Sequence, residues 1–207
     1  IPPKLRARYA SVTFSGENSI VKLLSLPGHF ESRSETAVVQ GMGLKNPQKH
    51  RIAYKVISEG RGKTESRVLA VALPEEEAAR INSLLPSGLP APLSLEISGL
   101  AAMAAFMRGP GSEHPRDAVG TIEFGARTTS FALFNRGQLA LVRRFRFGTD
   151  LIRNHICQTL KVDPETAQGI MSSGSFDISQ SVTESIEPLI KQLTVSRDFV
   201  ERRGNCR

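Results

Sequence analysis

Three short strand-like segments, followed at once by an amphipathic helix, constrain the fold of this 207-residue chain more than any other feature. The segments are Ala118 to Phe124, Ser130 to Phe134 and Leu139 to Phe147. The turns between them are so short that neighbouring segments must run antiparallel. The sequence therefore predicts a three-stranded antiparallel meander, with a helix that begins just after Gly148.

A linker rich in Gly and Pro at 109–117 separates this meander from the chain before it. Upstream of the linker, strands are predicted at 11–14, 19–26, 51–58, 68–73 and 93–97, with helices at 74–85 and 99–107 and one short helix within the irregular stretch 28–49. Downstream of the meander, helices are predicted at 149–160, from Pro164 onward and at 181–203. We therefore expect an α/β protein with mixed sheets, in which helices flank the meander and a small α/β subdomain precedes it.

Composition excludes several classes of protein. The longest apolar run, 100–107, is far shorter than the roughly 18 residues that a membrane span needs. The net charge of +7 permits binding to nucleic acid or to anionic lipid. However, the one tight basic cluster, 143–146, lies on a predicted strand, and the chain has no Trp for base stacking. We therefore expect no nucleic-acid partner and leave contact with a membrane surface or an acidic partner open.

The histidines and cysteines do not form a metal site. Their spacing matches no zinc motif, and no P-loop or nucleophile-elbow motif occurs. His155 and Cys157 are two residues apart on a predicted helix and therefore point to nearly opposite faces. We predict that Cys157 packs as a small hydrophobic residue. With only Cys206 besides it, no disulfide framework is possible, which predicts a reducing, cytoplasmic setting.

Residues 122–130, with the sequence Ile-Glu-Phe-Gly-Ala-Arg-Thr-Thr-Ser, have the chemistry of a phosphate-binding turn. Gly125 lets an anion approach the backbone, and such a turn can direct successive N–H groups at it. Thr128 and Thr129 would add hydroxyl donors, and Glu123 would orient water around Mg²⁺. The same spacing also fits an ordinary hairpin turn, and on spacing alone that interpretation is favoured.

In its context this turn resembles the second phosphate loop of the actin-like ATPases, and most closely that of the PilM family of type IV pilus assembly proteins, whose relatives include FtsA and the cytoplasmic part of GspL. Residues 118–147 look like the start of the family's second domain. Residues 147–152 look like its Phe-Gly-Gly-x-x-Leu-Thr helix entry, and 163–168 like its following helix. Upstream, 53–57 and 68–85 look like the inserted 1C subdomain, and 93–106 like the return segment.

The resemblance implies part of an actin-like (ribonuclease H-like) ATPase fold with a small inserted α/β subdomain. It implies that residues 1–28 end the first actin-like domain and that 29–92 form the inserted subdomain. Residues 93–108 would then return to the first domain, 109–117 would be the linker, and 118–207 would form part of the second domain.

The resemblance also implies an ATP or ADP site with Mg²⁺. Its phosphate cradle would consist of Gly125, Ala126, Arg127, Thr128 and Thr129. Glu123 would act through Mg²⁺-bound water, and Gly148 would leave room for the nucleotide.

The partner that the resemblance implies is the N-terminal tail of an inner-membrane protein similar to PilN, within a pilus or secretion platform. The chain would be peripheral to the membrane, at the cytoplasmic face of the inner membrane, where its basic charge suits anionic lipid.

Three residues depart from the family pattern: Glu123 replaces Asp, Thr149 replaces Gly, and Arg153 replaces Thr. The family's first phosphate loop and adenosine segment are not found, and the chain does not begin with Met, so we expect a piece of a longer protein. Two alternatives stay open: a nucleotide-free scaffold resembling GspL and, ranked last, a sugar or acetate kinase of the same superfold. Hydrolysis would be weak at most.

Overall fold

The computed structural model describes residues 7–31, 34–85, 88, 90–174 and 176–204. These residues fall into two compact units, which are divided between Ala105 and Phe106. The strands in the described residues are β1 (Tyr9–Phe14), β2 (Ile20–Pro27), β3 (His50–Ser58), β4 (Glu65–Pro74), β5 (Ala91–Ile97), β6 (Ala118–Phe124), β7 (Thr129–Asn135) and β8 (Gln138–Phe145). The helices are α1 (Ser34–Met42), α2 (Glu75–Ser83), α3 (Ser98–Arg108), α4 (Thr149–Leu160), α5 (Pro164–Ser173) and α6 (Ser179–Gly204).

Every strand and helix predicted from the sequence occurs, with ends that differ by no more than a few residues. The predicted stop of α2 at 86–88 falls mostly outside the described residues, as does Cys206. No helix in the described ranges is long and apolar enough to cross a membrane.

The first unit contains two sheets. β1 and β5 form a parallel pair, and β2, β4 and β3 form an antiparallel sheet with β4 in the middle. β4 takes the central position because Val68 to Leu73 is apolar on both faces, which suits a strand that is covered on both sides. α1 buries Val38 and Met42 against this sheet.

β2 pairs with β4 along its whole length, from Ile20 opposite Ala72 to Pro27 opposite Glu65. Residues 20–27 therefore share a sheet with 50–74, whereas the sequence analysis groups 1–28 with the first actin-like domain. β1 and β5 pair in parallel, from Tyr9 opposite Ala91 to Phe14 opposite Ile97.

The second unit is the predicted meander, in the order β6–β7–β8, with α4, α5 and α6 packed together after it. β7 is buried over most of its length because it is the central strand. The helices enclose a core of their own, and its buried residues are Phe147, Ile152, Ile156, Ala167 and Leu189. Cys157 is half-buried and packs against this core, so the prediction that it behaves as a small hydrophobic residue is confirmed.

Asp163 caps the N-terminus of α5. Its Oδ1 accepts hydrogen bonds from the backbone N–H groups of Glu165 at 2.9 Å and Thr166 at 3.0 Å, and its Oδ2 accepts one from the Thr166 hydroxyl at 2.6 Å. The side-chain hydrogen bond from Thr166, followed by the backbone hydrogen bonds, holds the pKa of Asp163 below its usual value. The ionised carboxylate therefore stabilises the folded state.

We expect Asp163→Ala to lower the melting temperature at pH 7, because two helix donors lose their acceptor. A lowered folded-state pKa gives stability that is present above the ordinary Asp value near 4 and is lost as the pH falls toward the folded value. The melting-temperature difference between wild type and variant should therefore shrink below about pH 4. Thermal unfolding followed by circular dichroism checks this. Asp163→Asn is the control, since it keeps an acceptor that does not titrate. An equal difference at every pH would contradict the prediction.

Candidate functional site

The predicted phosphate loop is a closed four-residue turn between β6 and β7. Phe124 and Thr129 are register partners, so residues 125–128 form the connection. The Gly125 N–H donates to the Thr128 carbonyl oxygen at 3.0 Å and closes the turn. A Cβ on Gly125 would lie 2.9 Å from that oxygen, so the turn needs glycine here.

This turn is fastened to the first turn of α4 through its carbonyl groups. The Thr149 N–H donates to the Gly125 oxygen at 3.1 Å, and the Asp150 N–H donates to the Ala126 oxygen at 2.9 Å. A helix begins with four N–H groups that lack a partner within the helix, and two of those in α4 are satisfied in this way. They are therefore engaged by the protein itself rather than available to an anion.

The same two bonds orient the N–H groups of the turn. In a planar trans peptide the C=O and the N–H point in opposite directions. Because the Gly125 and Ala126 carbonyls face α4, the N–H groups of Ala126 and Arg127 point away from it. Within the described residues, the N–H group of Ala126 has no backbone acceptor. The turn therefore presents this backbone donor on its outer side, where an anion could approach it.

Gly148 allows the turn to lie this close to the β8–α4 junction. Its backbone is extended, a conformation open to any residue. A Cβ at this position would lie 2.4 Å from the Ala126 carbonyl carbon and oxygen and from the Gly125 oxygen. The space that the sequence analysis reserves for a nucleotide at Gly148 is thus filled, on the Cβ side, by the protein's own backbone.

We expect Gly148→Ala to destabilise the protein by about 1–3 kcal/mol, because the new methyl group must displace the backbone of the turn. Gly169→Ala is the matched control. Gly169 lies exposed within α5 and a Cβ there meets nothing within 4 Å, so alanine should stabilise that helix by about 0.5–1 kcal/mol. Urea unfolding of both variants makes the comparison. Two variants of equal stability would show that the close approach at Gly148 is unimportant.

The two threonines of the turn have different roles. Thr129 is fully buried, and its hydroxyl donates to the Phe147 carbonyl oxygen at 2.9 Å. The Thr128 hydroxyl accepts a hydrogen bond from the Arg144 guanidinium at 3.2 Å, which leaves its own hydrogen available to donate. Thr128 itself is only 4% exposed, so neither of the two predicted hydroxyl donors is open to solvent in this structure.

Arg127 places a cation at the tip of the turn. Its side chain is 65% exposed, and its Nε lies 3.5 Å from Asp150 Oδ2 in the first turn of α4. Arg153 contacts the other oxygen of Asp150 at 3.0 Å. A guanidinium this exposed is suited to phosphate because its planar fork can donate two parallel hydrogen bonds.

Glu123 presents a buried carboxylate oxygen next to the turn. Within the described residues, its Oε2 is buried and has no hydrogen-bond partner. Burying such an oxygen without a partner is costly, whereas a hydrated Mg²⁺ bound through one carboxylate would satisfy it. The residues present therefore fit the cation that accompanies nucleotide phosphates. No group of three or more His, Cys, Asp or Glu in the described chain could hold a metal ion unaided.

The sequence analysis assigned no role to Asp150, Arg144 or Ser130. Asp150 engages Arg127, Arg144 engages Thr128, and Ser130 lies opposite Glu123 on β7. Cross-strand register places Arg144 and Ser130 beside the turn, and the hydrogen bonds between the turn and the start of α4 place Asp150 there.

A second candidate site lies within the first unit. It is an apolar cavity of about 220 Å³ whose lining includes Val12, Leu85, Pro92, Leu93 and Leu95, with Arg51 and Asn82 as polar members. Leu93 is 67% exposed, so the cavity opens to solvent as a groove. Apolar walls with a few polar groups are typical of a binding site for a small molecule or a peptide.

No protein-family profile matches this sequence, and no curated protein sequence matches it significantly. Solved structures do match. A chain of a PilM-PilN type IV pilus biogenesis complex superposes with a TM-score of 0.71 over 93% of this chain, at 18% sequence identity. This chain has that fold, so the predicted actin-like α/β fold and the likeness to PilM are confirmed at the level of the fold. The match spans 57% of the length of that other chain.

Two further structures match more weakly. The ethanolamine utilization protein EutJ from Carboxydothermus hydrogenoformans aligns over 56% of this chain and 40% of its own, with 19% identity and a TM-score of 0.37. A protein from Bacteroides thetaiotaomicron with an actin-like ATPase fold and unknown function aligns over 75% of this chain and 55% of its own, with 14% identity and a TM-score of 0.40.

Proposed function

We propose that this chain is an actin-like component of type IV pilus assembly, similar to PilM. In this proposal it binds ATP or ADP with Mg²⁺ and docks the cytoplasmic tail of an inner-membrane protein similar to PilN. The observation that carries the proposal is the superposition of 93% of the chain on a chain of the PilM-PilN complex. The basic net charge of +7 suits a position at the cytoplasmic face of a membrane that carries anionic lipid.

The turn at 125–128 supports the nucleotide part of the proposal. The Ala126 N–H and the exposed Arg127 guanidinium are donors of the kind that bind a phosphate group. Glu123 would hold the hydrated cation. When bound, Mg²⁺ would neutralise part of the phosphate charge, while the residues of the turn would fix the position of the phosphate.

A docking scaffold without nucleotide is the second candidate function, and specific contacts favour it. The Thr129 hydroxyl donates to Phe147, the first two N–H groups of α4 donate to the turn, and the Cβ side of Gly148 is filled by backbone. These are groups that a nucleotide site would otherwise use. Glu123 in place of the family's Asp points the same way. A binding measurement therefore decides between the two functions.

The nucleotide hypothesis predicts saturable binding of Mg-ATP in isothermal titration of the protein made from its complete reading frame. Arg127→Glu should weaken that binding about tenfold or more, because it replaces a charge-assisted donor by a repelling carboxylate. Arg136→Glu is the matched control. Arg136 is an exposed arginine in the β7–β8 turn, at the other end of the same sheet, and its substitution should leave affinity unchanged.

A substitution of the glycine itself, such as Gly125→Val, is unsuitable for this test. The valine side chain would clash with the Thr128 carbonyl and open the turn, so lost binding could reflect misfolding. If the wild-type protein does not bind Mg-ATP, the scaffold function stands in place of the nucleotide-binding one. If Arg127→Glu and Arg136→Glu bind equally well, the nucleotide lies elsewhere.

The groove of the first unit is the docking surface that we propose for the partner's tail. Its walls come from β1, β5 and the end of α2, and they are mostly apolar. An extended segment with apolar side chains would bury them there, and each buried Leu or Val side chain contributes about 1.5–3 kcal/mol. Arg51 and Asn82 would give polar contacts to its backbone.

Leu93→Glu should weaken binding of a peptide from the N-terminal tail of the PilN-like partner about tenfold or more, because it places a carboxylate in the apolar groove. Leu93 is exposed, so the fold should tolerate the change. Tyr9→Glu introduces the same charge at an equally exposed residue of the same sheet, outside the groove lining, and should bind normally. Fluorescence anisotropy of the labelled peptide measures both affinities. Equal affinities would place the tail on another surface.

A further inference from the structure

Ser130 is a buried hydroxyl that nothing in the described residues explains. It lies on β7 directly opposite Glu123 on β6. The residue is 6% exposed, and its Oγ is buried without a hydrogen-bond partner in the described part of the chain. Other buried hydroxyls are satisfied: Thr129 donates to Phe147, and Ser196 donates to the Gln192 carbonyl at 2.7 Å. Ser130 is therefore an exception that a bound water or ion would explain.

Ser130 and Glu123 face the same space. Register partners in an antiparallel pair project to the same face of the sheet, with Cβ atoms about 4.5–5.5 Å apart. Their unsatisfied atoms are a hydroxyl oxygen and a carboxylate oxygen, and both are buried. The two unsatisfied oxygens therefore belong to neighbouring side chains on one face of the sheet.

The chemistry of the pair identifies the class of ligand. An oxygen-only donor set with a single carboxylate is poor for zinc and suits a hard cation that keeps most of its water. A hydroxyl both donates and accepts, so it can hold a water molecule of such a shell. Arg144, the register partner of Ser130 on β8, directs its guanidinium to Thr128, which places a positive charge on the turn itself.

We infer that Ser130 is a positioning residue for the divalent cation that accompanies a nucleotide at this turn, an inference that rests on the proposed nucleotide-binding function. Glu123 supplies the charge, and the Ser130 hydroxyl orients a water of the cation's shell. The residue acts on metal affinity through that water and does not contact phosphate.

The test compares Ser130→Ala with the control Ser196→Ala. Ser196 is also a buried residue of the second unit, but its hydroxyl has a hydrogen-bond partner and it is distant in sequence from the turn. Without ligands, Ser130→Ala should melt at the wild-type temperature or above, since it removes an unsatisfied polar atom. Ser196→Ala should also melt at the wild-type temperature or above, because the Gln192 carbonyl keeps its helical N–H donor and alanine favours a helix interior. If Ser130→Ala melts below the wild type, Ser130 makes a structural hydrogen bond and the inference is overturned.

The second measurement is the Mg²⁺ dependence of ATP binding, with Mn²⁺ as a paramagnetic probe in electron paramagnetic resonance. In the protein from its complete reading frame, Ser130→Ala should raise the metal concentration needed for half-maximal ATP binding about tenfold, while Ser196→Ala leaves it unchanged. ATP affinity in the presence of a chelator should be the same in all three proteins.

The Mg²⁺ dependence of ATP binding distinguishes a failure of the role of Ser130 from a failure of the nucleotide-binding function. Wild-type ATP binding that needs no metal, or an unchanged metal requirement in Ser130→Ala, overturns the role of Ser130 and leaves the proposed nucleotide function intact. A wild-type protein that binds no ATP at all overturns the proposed nucleotide function, and the role of Ser130 fails with it.

Discussion

The attachment of the β6–β7 turn to the first turn of α4 is the interaction on which the candidate site depends. It consists of two hydrogen bonds, from Thr149 to Gly125 and from Asp150 to Ala126, and of the close approach that Gly148 allows. These contacts fix both carbonyls toward the helix. Because the peptide group is planar, they also fix the corresponding N–H groups toward the opposite side. One structural contact therefore decides which side of the turn can receive an anion.

This attachment gives α4 a role different from that of a free helix N-terminus. In many phosphate sites the first N–H groups of a helix contact the anion directly. Here the first two are satisfied by the turn, and the turn instead presents the Ala126 N–H together with the cation of Arg127. A phosphate bound at this turn would therefore contact the hairpin rather than the helix N-terminus. The helix provides rigidity and, through Asp150, a partner for Arg127 in the absence of ligand.

The face of the meander beneath the turn carries the unusual polar groups. Glu123, Ser130 and Arg144 lie in one row across β6, β7 and β8. Burying polar atoms of a carboxylate, a hydroxyl and a guanidinium lowers the stability of the folded state unless those atoms have hydrogen-bond partners. Such a row is typical of a site that is completed by a ligand.

Much of the fold could be predicted because the signals are local. The alternation of Leu93, Leu95 and Ile97 and the apolar run of 68–73 indicate strands, and Asp163 followed by Pro164 indicates a helix start. The pairing of β2 with β4 could not be predicted in this way, because it depends on contacts between residues about 40 to 50 positions apart. The position of the turn between β6 and β7 was predicted, whereas the hydrogen bond of the Thr129 hydroxyl and the close backbone approach at Gly148 were not.

The sequence by itself determined the order of strands and helices, the meander, the glycine turn and the burial of Cys157, since periodicity and turn chemistry act over a few neighbouring residues. The tertiary structure alone decided which groups of that turn remain available. It engaged Thr129 with Phe147 and filled the Cβ side of Gly148 with the backbone of Ala126. It also placed Ser130 opposite Glu123. The physical reason is that hydrogen-bond partners and close approaches are set by strand register and helix packing, which join residues that are distant in the chain.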